Sequence, residues 1–332
     1  MNLNSKSKAY RKITSIGGIK NIALVSIGLL ILFLLISRMG IDFSKLPAIK
    51  NPIYLILAAL MVSVTPLVTA LRMTYFLAIV GVNAPMKEIV MVEYINKFLY
   101  HIAPFKLNVP AKAVILNKTC GVRKEDSASI VTFEYGLDVS ITLMIGCVCV
   151  VIFFKNFSFL SDKIYLLFLL TFCLIAFFWM PIKTFDEFLK KAEKVKIKLL
   201  RKILTFILNI LRTIRETWVK LAFSRKILWA MLTTAMLWIL NALAVEALFL
   251  SLDYHVPLVW ILATLSCGIL VSGATTIPGG LGVREATMVF LYSVLGVPQE
   301  ISIIVVLLSR LLTINLVIIG YLASLRAGIK LI

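Results

Sequence analysis

Charge is scarce in this chain, and what there is has mostly one sign. Only 15% of its 332 residues are Asp, Glu, Lys or Arg, while 61% are apolar and the mean hydropathy is +0.99. Soluble domains hold about 45–50% apolar and about 25% charged residues, so a water-soluble globular protein is excluded. Acidic groups are the rarer sign, 16 against 35 basic ones, for a net charge of +19. Nucleic-acid-binding and disordered tails join such basicity to low hydrophobicity, and that combination is missing here. With two histidines, His101 and His255, a multi-histidine metal centre is out of reach. The five cysteines lie in or beside apolar runs, and Cys147-Val148-Cys149 has neither zinc nor redox spacing. No metal, cofactor, disulfide framework or catalytic nucleophile is therefore called for. A Walker motif is also lacking, so any energy source is not ATP hydrolysed by this chain.

What is present is apolar sequence cut into lengths. A helix needs about 20 apolar residues to cross the hydrocarbon core. Seven segments qualify as spans: 21–37, 53–80, 127–154, 163–180, 227–250, 257–273 and 301–325. The basic surplus sits between them. Residues 1–20 carry five basic groups and no acid, and residues 181–227 carry thirteen basic groups and four acids. The positive-inside rule places both stretches in the cytoplasm. Within 181–227, Phe185, Leu189, Ala192, Val195, Leu199, Ile203, Phe206, Ile210, Ile214, Trp218 and Leu221 recur at steps of three or four. That is the apolar stripe of an amphipathic helix on an anionic headgroup surface. The expected class is an all-α polytopic bundle in the cell membrane, forming a single integral domain over 1–332.

Two stretches are apolar enough to enter the membrane yet broken. One is centred on Pro104-Phe105-Lys106-Leu107-Asn108-Val109-Pro110, the other on Pro278-Gly279-Gly280-Leu281-Gly282-Val283-Arg284-Glu285-Ala286. Pro104, Leu107 and Val109 fall on Pro278, Leu281 and Val283 at an offset of 174, and Gly121-Val122 falls on Gly296-Val297 at 175. The match reads as an internal duplication, with repeats at 53–154 and 257–326. Each unit is a break, a short helix, a Gly-Val stop and a full span. Irregular backbone at membrane depth is tolerated only inside protein or along a watery cavity, so both read as re-entrant hairpins. Uncovered amides of Gly279, Gly280 and Gly282 at a helix start would suit an anion. Arg284 one turn in adds a forked phosphate donor, with Lys106 and Lys112 as further candidates.

Each ionisable group at bilayer depth needs a reason. Glu134 and Asp138 lie one turn apart and repel unless a cation or proton joins them. They and Glu285 are the candidate acidic cavity or coupling groups. Arg310 is the candidate structural partner, expected on Glu134 across the repeats, with Asp138 left facing the cavity. Arg72 is expected to snorkel to its helix end.

Pro-Gly-Gly-Leu-Gly-Val-Arg-Glu-Ala at 278–286 resembles the signature of the lysylphosphatidylglycerol synthase transmembrane-region family. The resemblance extends over nearly the whole chain. In the first half Pro104, Lys106, Glu134 and Asp138 keep the family pattern, while Asn108, Val109, Lys112 and Tyr135 depart from it. It implies the translocating membrane half without the soluble aminoacyl-transferase domain, acting as a flippase for a phospholipid or polyprenyl-phosphate-linked lipid. Anionic membrane lipids are the expected partners. The alternatives are a non-transporting subunit of a synthase or glycosyltransferase, or an intramembrane lipid-modifying enzyme. Homo-oligomerisation stays open.

Overall fold

The computed structural model of the chain describes residues 47–103, 106–154, 187 and 216–328. The expected spans at 21–37 and 163–180, the tail 1–20 and most of the basic amphipathic segment lie outside those residues. No strand is found among the described residues, whose main α-helices are α1 (Pro52–Ile79), α2 (Met86–Ile102), α3 (Asn108–Cys120), α4 (Lys124–Phe154), α5 (Lys226–Ser251), α6 (Leu258–Gly273), α7 (Val283–Val294) and α8 (Gln299–Arg326). Four of them, α1, α4, α5 and α8, are long and apolar enough to cross a bilayer.

The other four are short. α2 and α3 hold 17 and 13 residues, and α6 and α7 hold 16 and 12. At 1.5 Å per residue these legs reach about 18–26 Å, less than the ~30 Å hydrocarbon core. Residues 257–273, expected as a full span, are thus the first leg of a broken hairpin. α6 packs on α7, and α7 on α8. The two runs of four helices have the same order and nearly the same lengths: 28, 17, 13 and 31 residues, then 26, 16, 12 and 28.

Helix ends follow local chemistry. Pro257 and Pro298 stand at the N-caps of α6 and α8, where a missing N–H costs nothing. The Gly-Val stop after α7 is a Schellman motif. Gly296 takes φ +79°, its N–H donates to Ser293 O, and the Val297 N–H donates to Tyr292 O, both at 3.0 Å. Pro66 sits inside α1 and has no N–H to give the Val62 carbonyl. The Thr65 hydroxyl donates there instead, at 2.8 Å, so the helix continues through the proline.

The described chain divides into two compact units. The first holds 47–66, 93–108 and 238–328, and the second 67–92, 109–154 and 216–237. The first has its core around Ala58, Val245, Leu248, Phe249, Leu265, Met288, Val289, Tyr292 and Val305. Phe249 meets Tyr292 edge-on at 5.1 Å. α8 passes very close to α2 at Gly320, where a Cβ would lie 2.2 Å from Tyr94 O. The second unit is packed through aromatic edges: Phe133 meets Phe76 at 5.6 Å and Trp218 at 5.8 Å. Trp218 Nε1 donates to Ser129 O at 3.1 Å. It lies on the helical turn 216–222, the described end of the basic segment.

Candidate functional site

The break of the second hairpin folds into a 3₁₀ turn, Pro278–Gly280, ahead of α7. Gly279, Gly280 and Gly282 all take positive φ, at +58°, +65° and +80°, a region that costs any other L-residue about 1–2 kcal/mol. Close approach is a second reason for glycine. A Cβ on Gly279 would lie 2.9 Å from His101 Nδ1, and one on Gly280 2.4 Å from Ser272 Cβ.

Two of the three amides do not stand open as the sequence suggests. Gly280 N–H donates to Ile277 O at 3.0 Å, and Gly282 N–H donates to Glu285 Oε2 at 2.7 Å. The second bond is the capping interaction of α7, with Glu285 at N3 reaching back to the N-cap. Gly279 contributes its carbonyl, which accepts from Arg310 Nη2 at 2.7 Å. The break is tied internally, and its glycines serve backbone conformation and packing.

Arg310 lies eleven residues into α8, about 16 Å from the helix start, which is membrane depth for a spanning helix. Its Nε donates to Glu285 Oε1. The expected pairing with Glu134 is therefore replaced by Glu285, four residues beyond Leu281 in the same broken segment. Both Glu285 oxygens are occupied, and the residue is only 2% exposed.

Beside this pair opens a cavity of about 130 Å³, lined wholly by residues of the first unit. Lys97, Arg284 and Arg310 line it with a single carboxylate, Glu285. Tyr100, His101, Thr65, Asn241, Ser309 and Thr313 complete its polar wall. Arg284 is half-buried and finds no hydrogen-bond acceptor among the described residues. Its stem passes Gly268, where a Cβ would stand 3.6 Å from Arg284 Cγ. Lys106, at φ +56°, holds its Nζ 5.4 Å over the Tyr100 ring. Lys97 was not singled out from the sequence, although a lysine four residues before His101 puts both on one helical face.

The second unit holds a separate charge cluster. Arg72 grips Asp138 with two bonds, Nη1 to Oδ1 at 2.5 Å and Nη2 to Oδ2 at 3.0 Å. Nη2 also donates to Glu134 Oε1 at 2.7 Å, and Nη1 to Thr234 Oγ1 at 2.9 Å. Lys112 Nζ closes on Glu134 Oε2 at 2.6 Å. Two cations and two carboxylates balance. Arg72 does not snorkel: it is 1% exposed, because two carboxylates a turn apart on α4 need a forked cation between them. Lys112, expected on phosphate, is 4% exposed and held by Glu134. Asp138 keeps a side chain 44% exposed. Elsewhere Glu246 has His255 as a distant partner at 3.9 Å. Among the described residues no group of three His, Cys, Asp or Glu side chains is placed to hold a metal.

Comparison with known proteins adds a family. A sequence profile described as the lysylphosphatidylglycerol synthase TM region matches residues 21–320. The UPF0104 membrane protein MJ1595 of Methanocaldococcus jannaschii is 26% identical over 329 residues, covering 92% of this chain and 94% of its own. The UPF0104 membrane protein PH1989 of Pyrococcus horikoshii is 24% identical over 323 residues, covering 89% and 93%. No solved structure matches significantly.

Proposed function

The chain belongs to the lysylphosphatidylglycerol synthase TM-region family of multi-pass membrane proteins, and from that premise we propose that it translocates a lipid bearing a phosphate headgroup. The observation that carries this reading is Arg284 in the wall of the first unit's cavity, with no hydrogen-bond acceptor among the described residues and with both oxygens of the neighbouring Glu285 already bonded. A lipid phosphodiester supplies that acceptor. Arg284 offers it a fork of N–H donors with no competing acceptor, in a low-dielectric setting where such bonds are strong. The acyl chains stay in the bilayer while the headgroup occupies the cavity. The second unit's neutral cluster holds α1, α3, α4 and α5 together through Arg72, Lys112, Glu134, Asp138 and Thr234.

The matching order and lengths of the two four-helix runs support the internal duplication, which we extend to 52–154 and 226–326. The two runs carry their charges in opposite sense. The first has a cation on its short helix (Lys112) and an anion on its long one (Glu134), while the second has Glu285 and Arg310 in those places. A duplication that swapped charges keeps each half self-neutralising and discourages pairing with the wrong half.

The test is headgroup translocation in proteoliposomes, comparing the native chain with Arg284→Ala. Loss of translocation in a variant that keeps its elution profile and thermal midpoint supports the reading. Undiminished translocation in Arg284→Ala removes the cavity from the mechanism.

A further inference from the structure

The two hairpins start from helices that run in opposite directions. Within the second unit, Arg72 on α1 bonds Thr234 on α5 at 2.9 Å. Three residues further along α1, Tyr75 stacks at 6.3 Å on Trp229, which lies five residues back along α5. α1 and α5 are therefore antiparallel. Within the first unit the start of α1 meets the end of α5, where the Lys50 and Asn51 N–H groups donate to Ser251 O at 2.9 and 3.1 Å. α1 leads through 80–85 into α2, and α5 leads through 252–257 into α6. α2 accordingly begins at one face of the bilayer and α6 at the other. The path of α2 along α8 agrees. Tyr94 lies on Gly320, and His101 lies by Gly279, whose carbonyl Arg310 holds, so α2 advances as α8 recedes.

We infer that the breaks of these opposed hairpins meet at His101 and Gly279 to form the barrier across the membrane, and that a headgroup crosses only when the two part. Neither first leg spans the hydrocarbon core. α2 has 17 residues and α6 has 16, about 24–26 Å of the ~30 Å required. Backbone that turns back at such depth must be covered by protein, and here each break covers the other. A Cβ on Gly279 would lie 3.4 Å from His101 Cα as well as 2.9 Å from Nδ1, so the two main chains lie in near contact. A further approach joins the same two hairpins: the Lys106 ammonium stands 4.0 Å from where a Cβ on Gly273 would be. His101 also lines the cavity, which places the junction beside the proposed headgroup site. A site between inverted repeats is opened to one face at a time when one repeat moves against the other. This barrier role rests on the translocation reading. Trp229, at the start of α5, follows the basic segment and touches the end of α1, so by the positive-inside rule the first hairpin enters from the cytoplasm.

The experiment starts from the full chain with its five cysteines replaced by alanine. Asn83→Cys and His255→Cys, in the loops that lead into the two hairpins, are exposed to a membrane-impermeant maleimide in right-side-out and in inverted vesicles. The expected result is labelling from opposite sides, with Asn83→Cys reacting in inverted vesicles. Labelling of both from one side overturns the arrangement. His101→Cys is then combined with Gly279→Cys, which brings the two Cβ atoms within reach of a disulfide. Oxidation is expected to cross-link the protein and to slow short-chain fluorescent phosphatidylglycerol at least tenfold in liposomes, read by albumin back-extraction. Reduction is expected to restore the rate to within twofold. Absence of a cross-link in a variant with the native elution profile overturns the contact. Cross-linked protein that moves lipid within twofold of the reduced form overturns the barrier and leaves lipid translocation standing. No translocation by the native chain above protein-free liposomes overturns the barrier role and the translocation reading together, while labelling and cross-linking still decide the arrangement. Gly279 has φ +58°; if the cysteine there prevents folding, or translocation when reduced, Gly273→Cys on the regular helix α6 takes its place. A short amine-to-thiol reagent then joins it to the Lys106 amine, and the same outcomes decide.

Discussion

Removing the Arg72 guanidinium is the sharpest test of how the second unit is held together. The side chain is 2% exposed and faces Glu134, 5% exposed, and Asp138, 44% exposed. Arg72→Met keeps length and apolar contact but leaves two carboxylates with Lys112 alone. Stranding a buried partner costs about 3–5 kcal/mol, and at about 2 °C per kcal/mol for a large chain the thermal midpoint falls about 6–10 °C. Asp138→Asn alone should cost about 1 kcal/mol, because water screens that half-exposed carboxylate. The double variant should recover part of the loss, since Lys112 and Glu134 then balance one to one. The assay is the soluble monodisperse fraction after stepwise heating in detergent, read as a double-mutant cycle. Additivity of the two substitutions within about 0.5 kcal/mol, or an unchanged midpoint in Arg72→Met, would refute the charge-balance argument.

Other expectations follow from close contacts. Gly320→Ala drives a Cβ to within 2.2 Å of Tyr94 O, a backbone atom that cannot step aside, so α2 and α8 must part at a cost of about 1–3 kcal/mol; thermal stability in detergent reads this. Gly280→Ala meets Ser272 at 2.4 Å, and Ser272→Gly should relieve the clash while leaving the positive-φ cost of about 1–2 kcal/mol, so the double variant recovers only part of the lost midpoint. Glu285→Gln keeps the shape of the α7 cap but leaves Arg310 without its anion, and should lower the midpoint more than Gly280→Ala while changing translocation as well. Asp253→Asn, by contrast, breaks a pair with Lys50 whose side chains are 63% and 61% exposed, and should shift stability by less than about 1 kcal/mol.

Much of this architecture was written in composition and punctuation. Apolar runs of fixed length dictate helices in a bilayer, where backbone groups have no other partner. The Pro-Gly-Gly-Leu-Gly break and the Gly-Val stops could be located because proline and positive-φ glycine have local consequences that need no tertiary context. Arg284 and Glu285 were identifiable as ionisable groups at membrane depth. Their partners were not. Glu134 and Arg310 are each charged and each central in a long helix, so sequence suggests a pair, but charges attract whatever opposite charge the packing delivers. Packing delivered Arg72 and Lys112 to one and Glu285 to the other. Likewise glycine marks an amide that could be exposed, and only the three-dimensional path shows the Gly282 amide turned onto Glu285. Lys97 escaped notice for the same reason, since whether a lysine faces lipid headgroups or a cavity depends on which neighbours cover it. The sequence by itself determined that the chain is helical, membrane-embedded and interrupted at two places, because those properties follow from solvent transfer and local backbone sterics. The tertiary structure alone decided which charges meet, because that depends on distances between residues far apart in the chain.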